Sequence, residues 1–228
     1  MNKTITIAID GFSSTGKSTL AKQLAKKLNY IYVDTGAMYR AVTLYALRKG
    51  YISLSFFDKE ALIKDLPDIN LNFFFNKELS LSEMYLNQEN VEGAIRKMEV
   101  SELVSQVAKV PEVREKLVEQ QRFMGRDKGV VMDGRDIGTV VFPDAELKLF
   151  MTSRAETRAQ RRFEELKAQG NDVTYKSVYD NIIERDSIDT GRKDSPLVKS
   201  PDAVEIDNSD LTKEEQFEKI LELVNKKL

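Results

Sequence analysis

A chain of 228 residues is long enough for one α/β domain with insertions, and a hydrophobic fraction of 41% is ample for a core. Lys and Arg number 35 against 37 Asp and Glu, a formal charge of −2, so no global basic field argues for nucleic acid. The absence of Cys and His excludes disulfides, thiolate zinc sites and the commonest general base, leaving chemistry to Arg, Lys, carboxylates and a cation such as Mg2+. No apolar run approaches the ~20 residues of a membrane span. A soluble cytoplasmic monomer, with neither membrane nor nucleic acid as partner, is the expectation.

Along the chain, Thr4-Ile5-Thr6-Ile7-Ala8-Ile9-Asp10 is an apolar, β-branched run that predicts a strand. Gly11-Phe12-Ser13-Ser14-Thr15-Gly16-Lys17-Ser18 follows and fits G-x-x-x-x-G-K-[ST] at every fixed position. Residues 19–28, opening with Thr19, then carry apolar residues at helical spacing. Strand, loop and helix are the context a phosphate-binding loop requires. Gly11 and Gly16 let successive backbone N–H groups point at one anion, and the helix adds its positive end. Residues 11–19 are therefore expected to bind a nucleoside triphosphate, with Lys17 on the β/γ-phosphates and the Ser18 hydroxyl on Mg2+.

Tyr30-Ile31-Tyr32-Val33 predicts a short buried strand ending at Asp34-Thr35-Gly36, and a helix follows over about 37–48. Residues 51–95 break the rhythm. Residues 68–75 and 79–86 read as meander strands separated by Asn76-Lys77, an insertion on the main fold. Helical spacing returns at about 95–110 and again from Pro111 to about 123. Strands are predicted at 129–133, which is central, at 147–151 and at 203–207, with a last helix to the C-terminus. The alternation describes an α/β fold, a parallel sheet flanked by helices, in a single domain over 1–228.

Arg154, Arg158, Arg161 and Arg162 fall within little more than two turns, with 154, 158 and 162 on one face. On such a face like charges repel unless an anion lies among them. The alternative is a solvated helix relieved by Glu156, Glu164 and Glu165, with Arg161 and Glu165 spaced as a pair. Asp133, at the carboxyl end of a central strand, can hold Mg2+ through water or cap the following turn. Neither Asp-x-x-Gly after a strand nor Asn-Lys-x-Asp occurs, which sets GTPases aside. A small kinase needs arginines converging on its acceptor, and Arg40, Arg96, Arg114, Arg135, Arg185 and Arg192 are available.

These residues resemble the bacterial cytidylate kinases, of the nucleoside monophosphate kinase group of P-loop proteins. The likeness is carried by the phosphate loop; by Asp34-Thr35-Gly36-Ala37-Met38-Tyr39-Arg40; by Val104-Ser105-Gln106-Val107-Ala108 with Pro111, Val113 and Arg114; by the run from Asp133 to Pro143; and by Glu184-Arg185-Asp186 leading to Arg192 and Pro196-Leu197. It implies transfer of the γ-phosphoryl group of ATP to CMP or dCMP, with Mg2+. It implies an acceptor-binding region at 35–125 that includes the insertion 51–95, and a lid at 152–194. It gives Lys17, Arg158, Arg185 and Arg192 catalytic roles, and Thr35, Arg40, Ser105, Arg114, Asp136, Arg185 and Arg192 to CMP, with Asp136, Ser105 and Arg114 on the base. Ile188 and Thr190 depart from it where members often carry arginines, and Thr35 stands where many have Ser. Other acceptors (UMP, AMP, shikimate) and a non-catalytic nucleotide-binding regulator are the alternatives; an intact Lys17, Ser18 and arginine set argues against the last. The loop 207–211 is expected to cap the last helix and to border the adenine.

Overall fold

A computed structural model describes residues 3–76 and 81–228. Lys77, half of the turn expected between the meander strands, and Leu79 and Ser80 at the start of the second lie outside the described residues. The chain packs as two compact units, Met1–Val33 with Arg122–Leu228, and Asp34–Gln121.

The first unit opens with strand β1, Thr6–Gly11, buried at every position, as an apolar strand covered on both faces must be. Helix α1, Lys17–Leu28, starts directly from the loop and buries Leu20, Ala21 and Leu24 against the sheet. Strand β2, Ile31–Asp34, was expected to be buried, yet it is the edge of the sheet and Ile31 is 60% exposed. Four residues of apolar sequence do not distinguish an edge from a centre.

In the second unit, helix α2, Thr35–Arg48, begins at once because the Asp34 carboxylate accepts from the Ala37 N–H at 2.9 Å. Helix α3, Lys59–Asp65, is followed by strands β3, Leu71–Asn76, β4, Leu81–Leu86, and β5, Glu89–Asn90, which form an antiparallel sheet in that order. A short turn at Ala94–Arg96 precedes helix α4, Met98–Val107, so the expected helix starts later than its spacing suggested. Helix α5, Pro111–Met124, takes proline in its first turn. Helix α2 packs on α4 and β4.

The first unit resumes with β6, Val130–Asp133, and a single π-helical turn at Ile137–Val141. Then come β7, Leu147–Thr152, helices α6, Ala155–Ala168, and α7, Tyr175–Gly191, strand β8, Val204–Asp207, and helix α8, Lys213–Asn225. The five strands run in the order β2-β6-β1-β7-β8, with β1 parallel to both neighbours. The carboxyl ends of β1 and β6 are thus side by side, Ile9 opposite Asp133. Helix α8 is capped by Thr212, reciprocally with Glu215, rather than by residues 207–211. Among the described residues, no helix is long and apolar enough to cross a membrane.

Candidate active site

The turn from β1 into α1 is shaped by close approach. A Cβ at Gly11, whose φ is +142°, would sit 2.0 Å from the Met151 carbonyl oxygen on the neighbouring β7. Gly16 takes φ +84° before the first helical residue. Lys17 is buried and donates through Nζ to the Gly11 and Phe12 carbonyls, at 2.9 and 2.6 Å. Burial and the nearby Arg135 guanidinium push its pKa well below the ordinary lysine value. A phosphate oxygen in the loop favours the charged form of such an ammonium.

Ser13, midway round the loop, is held at three polar atoms. Its N–H donates to the Asp186 carboxylate at 3.0 Å, its carbonyl accepts from Arg158 Nη1 at 3.0 Å, and its hydroxyl accepts from Arg135 Nη2 at 2.9 Å. Arg158 also pairs with Asp186, and its guanidinium lies 5.4 Å from the Phe12 ring centroid. A carboxylate therefore occupies a loop N–H of the kind that binds phosphate. Arg135 carries the network outward, donating through Nε to Asp189 at 2.8 Å. Against the cost of burial, Asp189 and Asp186 hold the Arg135 guanidinium above its ordinary pKa. Arg192 lies 3.7 Å from Asp189 and 4.0 Å from Asp136, with its Nε donating to the Ser195 carbonyl.

Arg185 lies on the same stretch of α7, where Asp189 and Asp186 favour its charge. Its Nε is buried with no hydrogen-bond partner among the described residues. Burial and the neighbouring Arg135 bring its pKa down to about 10. A buried cation in this condition marks where an anion fits.

Opposite these cations lies an oxygen pair. Ser18 Oγ donates to Asp133 Oδ2 at 2.9 Å, and Tyr32 Oη donates to Asp133 Oδ1 at 2.8 Å. A hydroxyl beside a carboxylate suits Mg2+, which takes one or two protein oxygens and fills its shell with water and phosphate. Accordingly, no group of three or more carboxylates gathers for a metal among the described residues. Beneath the site, Asp10 accepts from the Ile137 and Gly138 N–H groups at 2.8 and 2.7 Å, anchoring the turn that follows Asp136. Burial pushes its pKa up to about 6.

The second unit carries Thr35, Arg40, Ser105 and Arg114. Thr35 is buried in the first turn of α2, and Arg40 crosses to α4, donating to Ser101 Oγ at 2.7 Å. Ser105 lies one turn further along α4 and is buried. Arg114, on α5, is buried, 5.5 Å from the Tyr39 ring centroid, and donates to the Ala108 carbonyl. Arg96, one of the spare arginines, is committed to Asp34 and Glu92 within the unit.

The basic run on α6 does not share a partner. Arg154 pairs with Asp210, Arg158 with Asp186 and Arg162 with Glu165. The expected Arg161–Glu165 pair does not form, because Arg161 donates to the Asn208 side chain and carbonyl at 3.1 and 2.9 Å. Asn208 in turn donates to the Thr15 carbonyl at 2.7 Å, so the loop after β8 braces the phosphate loop. Tyr32, Asp186 and Asp10 have no expected role from the sequence, and of these only Asp186 lies inside a motif block; Arg135 is one of the available arginines and Asn208 part of the loop expected to cap the last helix.

A parallel sheet whose first strand turns into a lysine-bearing phosphate loop, ringed by arginines from later elements, defines a P-loop phosphotransferase. Comparison narrows the class. The cytidylate kinase family matches residues 7–226. A cytidylate kinase of Flavobacterium johnsoniae is 67% identical over 223 residues, spanning 98% of this chain and 97% of the relative. One of Bacteroides thetaiotaomicron is 52% identical over 98% of both chains. The chain belongs to the cytidylate kinase family. At the level of fold alone, it is similar to an uncharacterised protein of Eubacterium ventriosum, with a TM-score of 0.51 at 12% identity over 98% of this chain and 99% of the other.

Proposed function

We propose that this protein transfers the γ-phosphoryl group of ATP to CMP or dCMP, giving ADP and CDP or dCDP. The observation that carries the reading is the single charged network running from Ser13 of the loop through Arg135 to Asp189, Arg192 and Asp136, with the Nε of Arg185 buried beside it without a hydrogen-bond partner. A monophosphate acceptor is already an ionised nucleophile near neutral pH, so a chain without His lacks nothing it needs. The obstacle is repulsion between two polyanions, and positioned cations overcome it.

Residues 11–19 cradle the donor phosphates in this reading, and Lys17 leaves the loop carbonyls for the β/γ-phosphates. Ser18, and Asp133 through water, would hold Mg2+, which would neutralise phosphate charge. Arg185 and Arg192 grip the acceptor phosphate and the transferring group with forked donors, and Arg158 serves the donor side. Thr35, Arg40, Ser105, Arg114 and Asp136 bind CMP, assignments carried by the sequence blocks that contain them. A cytoplasmic monomer accompanies this reading.

A coupled assay of ADP release across CMP, dCMP, UMP, AMP and shikimate tests it. CMP and dCMP are expected to be turned over, UMP poorly, AMP and shikimate not at all. A carboxylate accepts from the cytosine 4-amino group but faces a lone pair at uracil O4. Asp136→Asn therefore lowers kcat/KM for CMP and narrows the CMP to UMP ratio. Equal turnover of UMP and CMP by the unaltered enzyme would remove the acceptor assignment.

A further inference from the structure

We infer that Tyr32 is a positioning residue for the metal-binding carboxylate, fixing the orientation in which Asp133 meets the cation's shell. The inference rests on reading Ser18 and Asp133 as the Mg2+ end of the site. Tyr32 comes from the edge strand β2, adjacent to β6, and its hydroxyl donates to Asp133 Oδ1 at 2.8 Å, leaving Oδ2 to Ser18 Oγ at 2.9 Å. One carboxylate thus accepts both from a residue of the sheet edge and from the first turn of the loop helix. Asp133 is 4% exposed, so solvent does little to hold its rotamer. A phenol suits this task because it donates a hydrogen bond without a charge. Lysine or arginine in its place would cancel the negative charge that attracts the cation. The phenol is itself fixed, since Tyr32 packs against the apolar core of the first unit and the Lys22 ammonium lies 5.7 Å from its ring centroid. Partners behind metal ligands act in this way, orienting the ligand and tuning its basicity.

The test is ATP binding by calorimetry, without CMP, in Mg2+ and again in EDTA. The ratio of the two Kd values measures what the cation contributes. Tyr32→Phe keeps the ring and loses the donor; it should lower that ratio by about 10-fold while leaving the Kd in EDTA and the Tm near those of the unaltered protein. The same substitution in an Asp133→Asn background should change nothing further, because the hydroxyl acts through that carboxylate. An unchanged ratio overturns the inference, as does a fall that persists with Asp133→Asn. Ser18→Ala separates the two layers of argument. If it leaves the ratio intact, the metal reading fails and Tyr32 with it. If it collapses the ratio while Tyr32→Phe does not, the Tyr32 inference alone falls.

Discussion

Arg185 shows at the scale of one residue how the site is prepared for an anion. Its Nε is buried without a partner, and burial together with Arg135 lowers its pKa to about 10, still high enough to keep it charged at neutral pH. Lysine would start about two units lower and present one point charge instead of a fork. Arg185→Lys should therefore reduce kcat at least ~10-fold, about 1.4 kcal/mol of transition-state stabilisation. Because the Nε that lysine lacks makes no hydrogen bond in the native state, and lysine keeps the charge that Asp189 and Asp186 favour, the Tm should fall little with it. A matched loss of Tm and kcat in the same variant would instead make Arg185 a structural residue.

At the scale of elements, Asp186 clasps α7 to α6 through Arg158 and to the phosphate loop through the Ser13 N–H. Removing the carboxylate leaves Arg158 buried with its charge uncompensated, which typically costs about 3–5 kcal/mol. Asp186→Ala is expected to lower the Tm by roughly 6–15 °C and to speed amide hydrogen exchange in α6 and α7 ahead of β1 and β6. Exchange that accelerates equally in all four elements would mean that the clasp has no local role. Features of this kind escape a sequence reading for a physical reason. Ser13 and Asp186 are 173 residues apart, Asp10 and Ile137 127 apart, and Tyr32 and Asp133 101 apart, so only the folded chain joins them. The phosphate loop was legible because its geometry is local, glycines and lysine within eight residues. The seven-residue helix α3, too short for two turns and burying only Leu62, left no periodicity to find. Arg161 and Arg162 are both spaced to reach Glu165, and the choice is made by Asn208, which no helical pattern encodes.

At the scale of the whole molecule, the assigned residues divide by unit. Lys17, Ser18, Asp133, Asp136, Arg158, Arg185 and Arg192 belong to the first, and Thr35, Arg40, Ser105 and Arg114 to the second. Global stability carries the imprint of Asp10. Its folded pKa of about 6 exceeds the unfolded value of 3.8, so between them the folded state holds more protons. Stability from this group is present at low pH and is lost as pH rises through about 6. Asp10→Asn does not titrate there. Its Tm relative to the unaltered protein should rise between about pH 4 and about pH 7, by the equivalent of on the order of 2 kcal/mol. A gap independent of pH would mean that Asp10 titrates as in the unfolded chain.

The buried, unbonded Nε of Arg185 reaches beyond catalysis. A molecule carrying nucleotide gives that donor an acceptor, while one without it keeps the cost of the unmade bond and is the weaker fold. Selection for sturdiness in the empty state would discard Arg185 early, whereas selection for turnover keeps it. In a cell, where unfolded chains are continually removed, the lifetime of this protein therefore follows the supply of its own substrates.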